Sequence, residues 1–341
     1  MSAGGRTEGG VLAIRLRALG DVVLVTPALR ALHAGHPDRP IEVVTEPRYA
    51  PLVEGLPGVT RVWRAGRTNG ETLALARTLR ARRFAVAVDF FGNPRSAFLT
   101  SASGAPVRAG YDLRGRRNAY TVRVAREQAP APGRREYAAA VHVRLAVAAG
   151  GRADGVEARV PVAPAAADEA ARLLAEAGVR EPARTIGLVA AGTWGTKTLP
   201  PAHTARGARR LLAAGHPVVL LAGPGEEGVT ATLAALVPGL AMLPPCDVAA
   251  LVAVIARLRA VIGTDSGPRH VAAALGIPTF AWFGPTHPDT WNPPGPAHGF
   301  WWTPLPCRGC DRTACPHWNC LPGLHPDAAA DQVLAHLERH A

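Results

Sequence analysis

Lysine is almost missing from this chain. Of its 341 residues 38 are basic, and all but Lys197 of these are Arg. Usage so rich in Ala, Arg, Gly and Pro fits a GC-rich coding background that makes Arg the default cation. The one remaining Lys then marks a place where Arg does not serve. No apolar run approaches the ~20 residues of a membrane-spanning helix. The first ten residues are polar and Gly-rich, without the apolar stretch of a signal peptide, so a cytosolic protein is expected. Five Cys do not make a secreted disulfide scaffold at this length. Aromatics at 5% are too sparse for the stacking platform of a single-strand nucleic-acid binder. The chain also contains no Asp-x-Asp pair, His-Glu-x-x-His, Gly-x-Ser-x-Gly elbow or Walker loop. A metal-bridged diphosphate, a zinc protease, a serine hydrolase and a P-loop enzyme are therefore not indicated.

What is present is enough for two cores. The chain is 48% hydrophobic and 19% charged, which places it among globular rather than disordered proteins. The net charge of +12 is lopsided: residues 1–150 carry 23 Arg against 11 acids, and residues 151–341 are neutral.

Short β-branched runs alternate with Ala/Leu/Arg stretches of helical period, the signature of parallel sheets covered by helices. Strands are expected over 11–16, 41–45 and 84–90, with helices over 22–33 and 71–83. A Pro-rich break over 150–182 reads as a linker containing a helix at 166–177. Alternation then resumes with strands at 185–190, 217–222, 260–263 and 279–283. Helices are expected at 202–214, 229–236, 248–256 and 268–275. Residues 286–326 are Pro-, Trp- and Cys-rich and read as loop, and a last helix covers 328–340. The expected fold is α/β: two doubly wound Rossmann-like parallel-sheet domains facing a cleft. They span 1–165 and 166–325, with 326–341 as a closing helix.

Five motifs carry chemistry. Asp21, after Arg15-Leu-Arg-Ala-Leu-Gly20, stands where a strand turns into a helix. It is either a general base at the ligand crevice or a helix N-cap. In Ala190-Ala-Gly-Thr-Trp-Gly-Thr-Lys197, Gly192 and Gly195 let backbone amides approach an anion, and Lys197 is a compact charge suited to phosphate. The bland reading is an exposed loop lysine. In Gly263-Thr-Asp-Ser-Gly-Pro-Arg-His270, Asp265 or Ser266 caps a helix whose first turn accepts Pro268. Its free amides make an anion site, and His270 is either a phosphate donor or a packing residue. Gly223-Pro-Gly-Glu-Glu-Gly228, with Asp247 beyond it, fits a dinucleotide fingerprint. Pro224 and two Glu oppose a pyrophosphate there, leaving a nicotinamide oxidoreductase as an alternative. Finally, Cys307, Cys310, Cys315 and Cys320 have spacings compatible with a structural zinc or an iron–sulfur cluster; the alternatives are free thiols or local disulfides, the last disfavoured in a cytosolic setting.

The run Ile14-Arg-Leu-x-Ala-Leu-Gly-Asp21-Val-Val-Leu-x-Thr-Pro-Ala-Leu-Arg-Ala-Leu32 resembles the opening of the heptosyltransferases, GT-B enzymes of glycosyltransferase family 9 that build the lipopolysaccharide inner core. The resemblance runs through nearly the whole chain. Thr193–Lys197 resembles the family's donor-phosphate loop, Leu221–Glu226 its Gly/Glu turn, and Asp265-Ser-Gly-Pro-x-His270 its signature. Phe283-Gly-Pro-Thr286 and the Cys-rich tail also match. Val189-Ala-Ala-Gly192, Leu199-Pro200 and Ser266 depart from the usual His-Pro-Gly, Trp-Pro and Thr.

The resemblance implies an inverting glycosyltransferase that needs no metal or other cofactor for catalysis and uses ADP-heptose as its nucleotide-sugar donor. It assigns Asp21 as base on the acceptor hydroxyl. Lys197, Gly192 and Thr193 hold the diphosphate, Glu226 meets the ribose, and Cys246 lies by the adenine. Asp265, Ser266, Gly267 and His270 hold the sugar and phosphates. The acceptor belongs to the N-terminal half, where eight Arg between Arg108 and Arg135 suit an acidic glycolipid on the inner face of the cell membrane. A solvated surface shaped by codon bias is the competing account, but bias acts on both halves and the second is neutral. A nucleic-acid binder has the charge and lacks a binding module.

Overall fold

The computed structural model describes residues 9–340; the segment on which the signal-peptide argument largely rests lies outside the described residues. The chain divides into two compact units, one up to Pro161 and the other from Val162.

The first unit runs β1 (Val11–Ile14), α1 (Leu19–Gly35), β2 (Ile41–Thr45), β3 (Val59–Arg64), α2 (Asn69–Ala81), β4 (Val86–Asp89), α3 (Pro94–Ala102), β5 (Val107–Tyr111), β6 (Val122–Val124) and α4 (Ala138–Ala148). Its sheet is wholly parallel in the order β3-β2-β1-β4-β5-β6. The second unit runs α5 (Ala167–Glu176), β7 (Ile186–Val189), α6 (Pro201–Ala213), β8 (Val218–Leu220), α7 (Glu227–Leu236), β9 (Ala241–Met242), α8 (Val248–Ile255), β10 (Ala260–Thr264), α9 (Gly267–Ala274), β11 (Thr279–Phe283), α10 (Pro288–Trp291), β12 (His298–Trp302) and α11 (Pro326–His340). Its sheet is also parallel, in the order β12-β11-β10-β7-β8-β9. Helix α11 packs on α6 within this unit. Two doubly wound sheets are the architecture expected of GT-B.

The central strands are buried on both faces, which is why they read as unbroken apolar runs. Leu12, Ile14, Val44 and Ala87 meet Ala76, Leu79 and Leu99 of α2 and α3 in one core. In each sheet the chain winds outward from a central strand, then crosses back to wind the other way. The reversal falls between β1 and β4 and between β7 and β10. Ligand crevices of open α/β sheets form at such switch points. Gly263 lets β10 and β7 close up: a Cβ there would sit 2.0 Å from the Val189 carbonyl oxygen, and its φ is +147°.

Two expectations need correction. Helix α1 begins at Leu19 rather than 22, so Gly20 and Asp21 are helical and Ala18 is the N-cap. Segment 286–326 is not all loop, because His298–Trp302 adds a parallel edge strand beside β11. Helix α1 also contains Pro27, which removes the amide that would serve the Val23 carbonyl. The Thr26 hydroxyl donates to that carbonyl at 2.8 Å and accepts the Arg159 amide at 3.0 Å.

Candidate active site

Asp21 lies just past the end of β1, on the first turn of α1. It is not the N-cap; it is the third helical residue, and its Oδ2 accepts the Ala18 amide at 3.2 Å. Its Oδ1 meets Arg15 Nη2 at 2.5 Å, and the carboxylate stays about one-third open to solvent. Arg15 is buried. It donates from Nε to the Arg17 carbonyl and from Nη1 to the Phe90 carbonyl, with its guanidinium over the Phe91 ring.

At the switch point of the second sheet, the loop after β7 and the turn after β10 leave adjacent strands, and this brings Lys197 to Asp265. Lys197 Nζ is 2.8 Å from Asp265 Oδ2 and 5.3 Å from the Trp194 ring centroid. It is not an exposed loop lysine: its side chain is 13% exposed. Gly192 is required for this fold-back, since a Cβ there would fall 2.7 Å from Lys197 Cβ. Its amide turns toward Thr198 Oγ1 at 3.5 Å. Thr193 is exposed.

Asp265 does not cap α9. It is buried at the centre of a polar cluster. Oδ2 also accepts the Thr286 hydroxyl at 2.9 Å, while Oδ1 faces Arg269 Nη2 at 3.3 Å and His270 Nε2 at 3.6 Å. Burial opposes its ionisation, but Lys197, His270 and Arg269 overcome that and hold its carboxyl well below the usual carboxylate range. Burial also lowers His270, against the opposing pull of Asp265, so its imidazole is neutral at pH 7. Ser266 is the N-cap of α9, but its side chain makes no capping bond. Ser266 Oγ and His270 Nδ1 are buried without a hydrogen-bond partner among the described residues. Beside the Gly267–Pro268 helix start the orphaned Ser266 hydroxyl can donate to an anion, and His270 Nδ1, an acceptor while Nε2–H faces Asp265, can take a ligand hydroxyl.

Glu226 ends the turn after β8. Its Oε2 accepts the Gly223 amide at 3.0 Å, and Glu227 Oε1 accepts the Gly225 amide at 3.1 Å. The amides a pyrophosphate would use are therefore taken by the turn's own carboxylates. Asp247, placed on a ribose by the dinucleotide spacing, caps α8 through the Ala250 amide at 2.8 Å. The oxidoreductase alternative loses both features. Cys246, half-buried beside it, has its thiol pushed up to about 11 by burial and Asp247.

The Cys-rich segment touches the Lys197 loop. The Thr196 hydroxyl donates to the Arg312 carbonyl at 2.9 Å, and the Trp318 indole N–H donates to the Thr196 carbonyl at 3.0 Å. Cys307, Cys310, Cys315 and Cys320 are free and line one pocket with His317. As placed, no three His, Cys, Asp or Glu side chains among the described residues converge closely enough to hold a metal ion.

Sequence reasoning passed over Arg269, Thr286 and Arg15. Arg269 is fully buried, donates to Asn292 Oδ1 and the Trp291 carbonyl, and lies over Phe283. The signal was available: Asp265 and Arg269 are four apart at a helix start, where side chains share a face.

Residues 72–320 match the model of glycosyltransferase family 9 (heptosyltransferase). Lipopolysaccharide heptosyltransferase 1 of Pseudomonas aeruginosa is 27% identical over 96% of this chain and 98% of its own length. The glycosyl transferase family 9 structure from Veillonella parvula superposes with a TM-score of 0.86 at 18% identity, covering 99% of this chain and 100% of that one. Escherichia coli heptosyltransferase WaaC with ADP gives a TM-score of 0.73 at 21% identity, covering 96% and 99%. The fold, the motifs and the family match agree: the chain belongs to glycosyltransferase family 9, the heptosyltransferases, and is a glycosyltransferase.

Proposed function

We propose that the protein transfers a heptose from ADP-heptose to an acidic lipid-linked saccharide of the lipopolysaccharide inner core, with inversion and without a metal at the reacting centre. The observation that carries this reading is the pairing of Lys197 with Asp265 at the second sheet's switch point, next in sequence to Ser266, whose buried hydroxyl has no partner among the described residues. Related proteins bear the corresponding names, lipopolysaccharide heptosyltransferase 1 and 3.

Asp21 accepts the proton of the acceptor hydroxyl as that oxygen attacks the anomeric carbon. The bond to the diphosphate oxygen breaks with its electron pair on the leaving group. Lys197, with Gly192 and Thr193, and the amides at the start of α9 stabilise that charge, a task a metal performs elsewhere. Asp265 holds Lys197 and, with Ser266, Gly267 and His270, faces the sugar and phosphates. Glu226 meets the ribose, and the Cys246 segment lies by the adenine. The basic first unit receives the acidic acceptor at the inner face of the cell membrane. No helix among the described residues is long and apolar enough to cross a membrane.

A thermal-shift screen of ADP-heptose, ADP, UDP-sugars and GDP-sugars tests the donor. Stabilisation by the adenine compounds is expected, and stabilisation by a UDP- or GDP-sugar alone refutes it. Asp21→Ala is expected to abolish transfer and keep ADP binding; full turnover in that variant removes Asp21 as base. Sedimentation with phosphatidylglycerol vesicles, expected to carry the protein down at low salt, checks membrane association.

A further inference from the structure

We infer that Arg15 is a positioning residue for Asp21, fixing the carboxylate in the orientation in which it accepts the acceptor's proton. The inference rests on the reading of Asp21 as base.

Every nitrogen of the Arg15 guanidinium is engaged. Nε goes to the Arg17 carbonyl at 2.9 Å, Nη1 to the Phe90 carbonyl at 2.7 Å and Nη2 to Asp21 Oδ1 at 2.5 Å. The Phe91 ring centroid lies 4.8 Å from the guanidinium carbon, so the group is held from its face as well as its edges. A planar donor fork fixed this way has little freedom to lose when it binds a carboxylate.

The anchor is itself built. Asp89 ends β4 beside β1 and is completely buried. It accepts the Phe91 and Gly92 amides at 2.9 Å and the hydroxyls of Ser96 at 2.9 Å and Tyr120 at 2.6 Å. Those bonds set the turn whose Phe90 carbonyl and Phe91 ring grip Arg15. The chain of support runs from a buried carboxylate through a fixed turn and a fixed guanidinium to a carboxylate with one open edge.

Asp21 needs this support. Its other hydrogen bond among the described residues is the Ala18 amide at 3.2 Å on Oδ2. With one bond on each oxygen, the plane of the carboxylate is set, and its remaining lone pairs on the open edge are free for a hydroxyl. When proton transfer follows carbon–oxygen bond formation, the attacking hydroxyl is by then strongly acidic. Orientation then matters more than basicity.

The test is a double-mutant cycle on the full chain with Arg15→Met, Arg15→Lys and Asp21→Asn, reading kcat, donor KM and ADP affinity. Arg15→Met is expected to lower kcat about 100-fold with ADP affinity within about twofold of the parent, and Arg15→Lys to recover part of the loss. Combined with Asp21→Asn, Arg15→Met should add almost nothing, because it acts through Asp21. A kcat loss that multiplies in full on Asp21→Asn overturns the inference, as does normal kcat in Arg15→Met. If Asp21→Asn itself turns over normally, the base assignment fails, and that outcome is distinct from the first two. Should Arg15→Met not fold, Arg15→Lys and its double variant carry the same comparison.

Discussion

Replacing Asp265 by Asn keeps the shape of the side chain and removes the charge at the centre of the Lys197–Arg269–His270 cluster. Lys197 is partly open and can swing to solvent. Arg269 has no such exit: it is 0% exposed and lies over Phe283. Among its other partners, Asn292 Oδ1 and the Trp291 carbonyl are neutral. Removing one partner's charge from a buried ion pair costs about 3–5 kcal/mol. For a cooperative unit of this size that is a fall in Tm of about 10 °C. The loss should depend on pH. The folded-state carboxyl of Asp265 titrates well below its ordinary value, because Lys197, His270 and Arg269 outweigh the burial that opposes ionisation. Its contribution to stability is therefore complete above about pH 4 and is lost as pH falls further toward the folded-state value. Calorimetry from pH 7 down to pH 3 checks this: the gap between parent and Asp265→Asn should be widest at neutral pH and narrow below pH 4. A gap under about 2 °C at pH 7, or one that widens on acidification, refutes the argument that Asp265 balances a trapped cation.

Lys197→Arg keeps the charge but not the compact ammonium that fits beside Gly192 and Asp265, and should lower kcat by about 100-fold. Normal turnover in a steady-state assay defeats the reading of the lone lysine. Thr26→Val removes the hydroxyl that replaces the amide missing at Pro27 and should cost about 2 kcal/mol in urea unfolding at unchanged m-value. We propose that Cys307, Cys310, Cys315 and Cys320 hold a structural zinc once the metal draws the thiols together. Elemental analysis should then find one zinc per chain, and chelation should lower Tm without touching Asp21. Metal-free protein with all five thiols titratable and a Tm unaltered by chelator rejects the site.

The parts of the fold legible in the sequence are those whose signal is local. Central strands such as Val11–Ile14 and Ala260–Thr264 are buried on both faces, so each reads as an apolar run with a Gly- or Asp-bearing turn behind it. The edge strand Val59–Arg64 is half exposed and carries Arg61 and Arg64, which hide it from any apolar pattern. Strand His298–Trp302 was hidden for a related reason: Pro and Cys around it signal loop, while pairing with β11 supplies the stabilisation. At the site, the Asp265–Ser266–Gly267 turn and the fold-back of Gly192 against Lys197 are short-range features. The burial of Arg269 and the grip of Arg15 on Asp21 depend on Phe283, Trp291 and Phe90, which other elements supply.

The sequence by itself determined that two parallel sheets form, that one half is basic, and that a single lysine had been kept where arginine was everywhere else. Only the tertiary structure decided what that lysine touches. Periodicity and turn chemistry act over a few residues, whereas the neighbour of a strand-end loop is set by strand order. Because β7 lies beside β10, Lys197 meets Asp265. Because β1 lies beside β4, the Phe90 turn reaches Arg15 and, through it, Asp21.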